Sequence, residues 1–555
     1  MKTSSPKTIV IIGGVAGGAS CAARLRRMDE SAEIIVLERG QFASFANCGL
    51  PYHVGGVIEK EDDLLVAKGP VFKERYAIDL RTRHEAVSIN RAASEVEVRD
   101  LESGQSYRQR YDALVLAPGA APLRPPLPGI DLPGIFTLRS IADTRHIKGW
   151  IAQHAAKSAV IVGGGFIGLE MAENLKHLGL EVTVVEMLPQ VMPPIDAEMV
   201  SPVHAYLRAK GIKLALGAAV VGFAQNNDRL EVQTQDGTAH AADIVILAIG
   251  VRPETALAKA AGLTLGQRGG IRVDEKMRSS DPKIWAVGDA VEVRDRITGS
   301  WTLLALAGPA NRQGRVAADA ICGHQATFHG TQGTAICGIF DIAVASTGTS
   351  EKALQRAGFT DYEKIYLHAG HHAGYYPGAE KIHFKLIFRK SDGLVLGAQA
   401  VGLAGVDKRI DVIAMAILMD ATVYDLEEAE LCYAPQFGTA KDPINFAGMI
   451  AVNHLRGDDP ILHWQDPQLA NYDLLDVRDP DEFADGHAPG AIHIPLNSLR
   501  SSLGTLSKHR PLAVYCAVGG RAHNAVRLLR QHGFDAANLS GGYTTFCHVE
   551  GATQR

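Results

Sequence analysis

No apolar run in this sequence reaches the ~18 uninterrupted residues that a membrane-spanning helix needs, so no spanning helix is expected. A basic excess is also missing. Lys and Arg total 56 against 61 Asp and Glu, a net charge of -5, which argues against nucleic acid or an anionic membrane surface as a partner. Any anionic ligand must then be met by a local cluster of cations. Cysteine is sparse and unpatterned: Cys21, Cys48, Cys322, Cys337, Cys432, Cys516 and Cys547 are odd in number and never form C-x-x-C, which argues against a disulfide scaffold or a zinc site. Reduced thiols in a cytoplasm are the expectation. Lys2 and Lys7 before Ile9-Val-Ile-Ile have the outline of a signal peptide, but the apolar run is short and dissolves into Gly13-Gly14-Val15-Ala16-Gly17-Gly18. It reads as a first β-strand.

What is present points to several cores, since 555 residues at roughly 150 per domain suggest three or four. From Thr8 to Glu38 the chain runs apolar strand, glycine turn, helix (Ser20 to Met28), then a second strand Ile34-Ile-Val-Leu37 ending in an acid, one βαβ unit. The grammar repeats at Ala159-Val-Ile-Val162, Gly163-Gly-Gly-Phe-Ile-Gly168, a helix to Leu178, and Val182-Thr-Val-Val185 ending in Glu186. Such a turn lets backbone approach a pyrophosphate at a helix N-terminus, and the acid holds ribose hydroxyls. The second unit is a full G-x-G-x-x-G through Gly163, Gly165 and Gly168, and the Glu186 carboxylate would repel a 2′-phosphate, favouring NADH over NADPH. The first unit departs from the pattern, with Val15 where the central glycine normally lies between Gly13 and Gly18.

Three further segments give the order. Ile284-Trp-Ala-Val-Gly-Asp289 resembles the second FAD fingerprint of the two-dinucleotide-domain flavoproteins, in which the aspartate bonds the ribitol. Leu116-Ala-Pro-Gly119 and Leu247-Ala-Ile-Gly250 resemble that family's domain-crossover motifs. The resemblance implies FAD on Gly13, Gly14, Gly17, Gly18, Glu38, Arg39 and Asp289. The expected fold class is α/β, with two Rossmann-like dinucleotide-binding domains, an α+β domain that the resemblance implies for dimerisation and a C-terminal α/β domain. The expected boundaries are 1–120 with 258–321 for FAD, 121–257 for NAD, 322–453 for dimerisation, 454–467 as a polar, proline-bearing linker, and 468–555 for the last domain. In the third, Ile382 to Phe388 reads as a strand and Lys408 to Met419 as an amphipathic helix.

Ser44-Phe-Ala-Asn-Cys-Gly-Leu-Pro-Tyr52 sets Cys48 in a glycine- and proline-marked turn, where a helix N-terminus is expected to lower its pKa. The glutathione reductase branch of the superfamily has a second cysteine five positions on, and here that position is His53. Cys48 must therefore cycle through a sulfenic acid, or through a mixed disulfide or persulfide with a small thiol. The segment resembles the S-F-A-N-C-x-L-P-Y of coenzyme A disulfide reductases, and the likeness extends over roughly residues 8 to 450. Related NADH peroxidases and oxidases carry a glycine-loop histidine where this chain has Ala16. The resemblance further implies that Tyr375, in His372-Ala-Gly-Tyr-Tyr-Pro-Gly378, and Tyr433, in Tyr433-Ala-Pro-Gln-Phe-Gly-Thr-Ala-Lys-Asp442, serve Cys48 of the partner subunit in a homodimer. Tyr376 is the competing choice for the first. Ser20, Arg24 and Arg27 share one helix face, and with Ser44, Asn47 and Lys441 they are the coenzyme A contacts that the resemblance implies; spacing alone reads the face as a solvated basic one.

Leu474-Leu-Asp-Val-Arg478, Gly486 to Pro495 and Val514-Tyr-Cys-Ala-Val-Gly-Gly-Arg-Ala522 resemble the opening and the C-x-x-x-x-R loop of a rhodanese domain. Cys516 is its expected nucleophile in a nest of backbone N–H groups, with Arg521 adding charge, while Asp476 and Arg478 are expected to brace the fold. The other five cysteines read as structural or incidental. Together these readings describe a cytoplasmic FAD- and NADH-dependent reductase of coenzyme A disulfide, coenzyme A persulfide or polysulfide, with small-molecule thiols as partners and no metal. An NADH oxidase or peroxidase, and a flavin-bound redox sensor with a docking rhodanese module, are the alternatives.

Overall fold

The structure, a computed structural model, describes residues 6–553. It divides into two compact units, Met1–Pro189 with Ile212–Thr331, and Gln190–Gly211 with Gln332–Arg555. In the first unit, five parallel strands run in the order Ile284–Ala286, Ala113–Leu116, Thr8–Ile12, Glu33–Glu38, Asp79–Thr82. The three inner strands are nearly continuous in Ile, Val and Leu because both faces of a parallel sheet are covered, and Val10, Ile11, Ile35, Val36 and Leu114 are fully buried. A second parallel sheet repeats the design with Lys213–Leu216, Glu181–Glu186, Ser158–Val162, Ile244–Leu247 and Ile135–Phe136. The first helix is Ala16–Met28, one turn longer at its start than the sequence suggests, because the glycine loop opens straight into it. Each sheet is interrupted, before its strand Ala113–Leu116 or Ile244–Leu247, by a three-stranded antiparallel sheet, at residues 84–110 and 220–242, that the sequence reading does not foresee.

The second unit holds two more sheets. Ala335–Ile339, Ile342–Gly348, Val395–Gly402, Lys381–Phe388 and Glu363–Gly370 form an antiparallel sheet whose strand Val395–Gly402 is buried at every residue. Helix Val406–Leu418 packs on it, and so does Ala197–Ala209, which lies within the segment read as part of the NAD domain. An ionic cluster explains the second docking. The Lys385 ammonium, fully buried, reaches Asp196 at 2.9 Å, Glu198 at 2.6 Å and Glu351 at 2.8 Å. Its charge holds the carboxyls of Glu198 and Glu351 below their usual range against burial.

The last sheet is parallel, in the order Ile461–Leu462, Ala536–Leu539, Leu512–Tyr515, Asp473–Asp476, Ile492–His493. The stretch 454–467 is therefore no plain linker. Helix Pro443–Leu455 ends inside it, and Ile461–Leu462 already pairs with Ala536–Leu539. Among the described residues no helix is long and apolar enough to cross a membrane.

Candidate active sites

Both glycine turns are built to the same plan. Gly13 and Gly163 take φ of 97° and 107°, left-handed values that a side chain would strain, and a Cβ on Gly18 or Gly168 would collide with the carbonyl oxygen of Gly13 or Gly163. The strand-ending acids fold back on these turns. Gly14 N–H donates to Glu38 Oε2 at 2.8 Å, and Gly164 N–H donates to Glu186 Oε2 at 2.7 Å. Space is open beside Gly165, as close approach of a pyrophosphate requires. A dinucleotide thus fits each turn by its shape and by its carboxylate. Arg39 is turned to Glu254 at 3.1 Å and Glu85 at 3.8 Å.

Cys48 lies in a single 3-10 turn, Asn47–Gly49, that leads into the short helix Leu50–Val54, in which Pro51 stands in the first turn. The loop ahead of it is drawn onto the first glycine turn by the Ser44 N–H to Gly14 O bond of 2.8 Å, with Ser44 at a positive φ of 51°. Cys48 keeps a solvent-open face, yet the protein around its thiol raises its pKa, first by burial and then through the Glu170 and Asp289 carboxyls. The helix terminus does not reverse this, so the expected lowering is absent from the protein's own groups: one short turn of N–H groups is outweighed by burial and by two acids. Arg139 opposes them, 3.9 Å from Asp289 Oδ2, and with the Asn47 carboxamide turned toward Phe45 O it also bonds Asn47. Glu170, to which the Tyr52 hydroxyl donates at 3.5 Å, is pushed up by burial to about 7. Sequence reasoning missed Arg139 and Glu170. The signal for Glu170 was its position two residues past Gly168, on the same helix as the second fingerprint. His53, standing where a second cysteine would be, is buried with Nδ1 2.8 Å from Ile58 O.

In the second unit the Tyr375 and Tyr433 hydroxyls share a hydrogen bond of 3.0 Å, and both rings are exposed. Their loops are tied together: Ala373 N–H donates to Gly438 O at 3.0 Å, and the buried Arg409 guanidinium bonds His371 O at 2.7 Å and Asp442 Oδ2 at 2.7 Å. Tyr376 packs instead edge-on to His372. Of the residues implied for coenzyme A, Ser20 bonds Asn311, Arg24 is paired to Asp319 at 2.7 Å, Arg27 is exposed and Asn47 adjoins Cys48. Lys441 belongs to the other unit and is exposed.

Cys516 closes the strand Leu512–Tyr515, and the Gly519 N–H donates to its Sγ at 3.1 Å from a loop that opens into helix Gly520–Gln531. Gly519 supplies the positive φ, 102°, that aims this N–H inward. Arg521 is not a free cation over the loop: it bonds Asp479 at 2.9 Å and Glu482 at 2.7 Å, which offsets its charge. Asp476 and Arg478 form a buried forked pair with a shortest contact of 2.7 Å, and Arg478 also bonds Gly486 O. That pair holds the strand end from which the loop departs.

Residues 7–314 match the pyridine nucleotide-disulphide oxidoreductase family, 334–442 its dimerisation domain and 462–548 the rhodanese-like domain. Coenzyme A disulfide reductase of Staphylococcus haemolyticus is 36% identical over 443 residues, which is 80% of this chain and 98% of that protein. An NADH oxidase of Methanocaldococcus jannaschii is 36% identical over 452 residues, 80% of this chain and 99% of its own. Among solved structures, reduced Bacillus anthracis CoADR-RHD superposes with a TM-score of 0.96 at 44% identity, covering 98% of each chain. An NAD-dependent persulfide reductase from A. fulgidus superposes at 0.90 and 37% identity, over 97% of this chain and 100% of its own.

Proposed function

Because the chain belongs to the pyridine nucleotide-disulphide oxidoreductase family, we propose that it is a FAD-dependent NADH:disulfide reductase. Its substrates are coenzyme A disulfide, coenzyme A persulfide or polysulfide, reduced through the single redox cysteine Cys48. The observation that carries this reading is Cys48 in an open turn, with His53 and not a second thiol five positions on. Gly13, Gly18, Glu38 and Asp289 would hold FAD, and Gly163, Gly168 and Glu186 would hold NADH, the Glu186 carboxylate disfavouring a 2′-phosphate. Bound FAD supplies two-electron exchange between nicotinamide and sulfur.

The chain's own residues handle sulfur and protons. The Cys48 thiolate attacks the substrate disulfide, forming one S–S bond as another breaks, and the leaving thiolate takes a proton from the Tyr375 and Tyr433 pair of the opposite protomer. Arg139 steadies negative charge at the turn. Two electrons later return the mixed disulfide to the Cys48 thiolate and a free thiol. Ser20, Arg24, Arg27, Ser44, Asn47 and Lys441 are the coenzyme A contacts in this reading, and the working form is a homodimer. Cys516 carries sulfane sulfur in its backbone nest, and fusion to the reductase raises the local concentration of the shared persulfide, with sulfide as product.

The NADH oxidase reading draws on the M. jannaschii relative, but Ala16 opens the first helix where that chemistry uses a histidine. Anaerobic stopped-flow of NADH oxidation with each acceptor offered separately is the test. Cys48→Ser is expected to stop turnover and Cys516→Ser to slow only the sulfane-sulfur substrates; normal turnover by Cys48→Ser overturns the assignment.

A further inference from the structure

Among the described residues, two clusters in the second unit each bring three metal-capable side chains together. Asp196, Glu198 and Glu351 are already satisfied, since the Lys385 ammonium sits among them at 2.6 to 2.9 Å and takes the place a cation would occupy. The other cluster has no such occupant. His368 and His383 are directly opposite partners on the antiparallel strands Glu363–Gly370 and Lys381–Phe388, so their side chains leave the sheet on one face. His548 comes down on them from helix Gly542–Thr553.

One ring nitrogen from each of the three lies within 4.8 Å of the other two. The rings meet edge-on, at 68°, 83° and 89°, with centroids 4.6 to 5.5 Å apart, so nitrogens converge where stacked rings would separate them. His368 Nδ1 is 2.8 Å from His383 Nδ1, a contact of two nitrogens that can share only one proton. On its far side, His368 Nε2 is 2.8 Å from Thr545 Oγ1. When that nitrogen donates to the hydroxyl, the lone pair is fixed on Nδ1 and turned into the cluster, which is how an outer hydrogen bond orients a ligating imidazole. His548 contacts both other rings and has no hydrogen bond of its own among the described residues.

From this convergence we propose that His368, His383 and His548 form a zinc-type site that clasps the rhodanese helix to the dimerisation sheet. Three imidazoles without carboxylate or thiolate suit Zn²⁺ and its late first-row neighbours, not Ca²⁺ or Mg²⁺, which want oxygen. Zn–N bonds of about 2.0–2.1 Å place tetrahedral ligand nitrogens roughly 3.3 Å apart, a spacing these side chains reach by small rotations. The fourth position falls to water. None of the three histidines is assigned to the sulfur chemistry, although their helix begins at the Cys516 loop, where Tyr543 N–H donates to Cys516 O at 2.8 Å.

The test uses the full-length, FAD-loaded enzyme, stripped with a chelator and titrated with ZnCl2 against a chromophoric competitor. One tight zinc per chain is expected, weakened at least tenfold in His383→Gln and in His548→Gln, with zinc raising the unfolding temperature of the wild type only. Zinc-edge X-ray absorption of the wild type decides independently of whether either variant folds: a shell of nitrogen and oxygen alone supports the site. Sulfur in that shell, equal affinity in the variants, or no binding below millimolar zinc overturns it, the first two assigning zinc to the exposed thiols of Cys48, Cys432 or Cys547.

Discussion

Glu170 bears on the charge of Cys48. Burial lifts the Glu170 carboxyl to about 7, so it is neutral below that pH and ionised above it, and once ionised it raises the Cys48 thiol further. Glu170→Gln removes a negative neighbour and leaves the volume unchanged. Cys48 should then become a thiolate at lower pH, and alkylation by iodoacetamide should be several-fold faster near pH 8. The wild-type inflection close to pH 7 in the alkylation profile should also vanish; its persistence in the variant would assign it to another group. None of this was open to sequence reading, because Cys48 and Glu170 meet through the fold across 122 positions. The glycines were legible for the opposite reason: Gly13, Gly18, Gly163 and Gly168 act through their own backbone within a few residues.

Secondary-structure elements show the same division between local and distant causes. Strands Thr8–Ile12 and Ser158–Val162 announced themselves through unbroken apolar runs, and helix Val406–Leu418 through its periodicity, close to the expected Lys408 to Met419. The antiparallel inserts at 84–110 and 220–242 were missed because their alternation is diluted by charged residues on open faces. Helix Ala197–Ala209 was assigned to the nucleotide half, since nothing in its own sequence reveals that Glu198 is neutralised by Lys385. Removing that ammonium would leave three carboxylates facing one another in the interior. Lys385→Met is accordingly expected to cost about 3–5 kcal/mol, the usual penalty for orphaning a buried charge. Denaturant unfolding of the full chain measures it, and a loss below about 1 kcal/mol would mean that the acids take up protons or water without strain.

For the whole molecule, the proposed sharing of tyrosines between protomers makes activity a property of pairs. Equal mixing of Cys48→Ser chains with Tyr375→Phe, Tyr433→Phe chains gives half heterodimers, each with one intact site of two if the tyrosines act in trans. About one quarter of wild-type turnover should return after denaturation and joint refolding. If the tyrosines serve their own chain, no intact site forms and the mixture stays inactive. A second consequence follows from the path of the backbone, which leaves the first unit at Pro189, contributes residues 190–211 to the second, and returns at Ile212. Asp196 precedes Lys385 by 189 positions. At about 5–20 residues per second, a ribosome needs roughly 10 to 40 seconds to cover that interval. For that time the new chain carries Asp196 and Glu198 without their counter-ion, so the start of helix Ala197–Ala209 holds an uncompensated charge until the strand that bears Lys385 has been made.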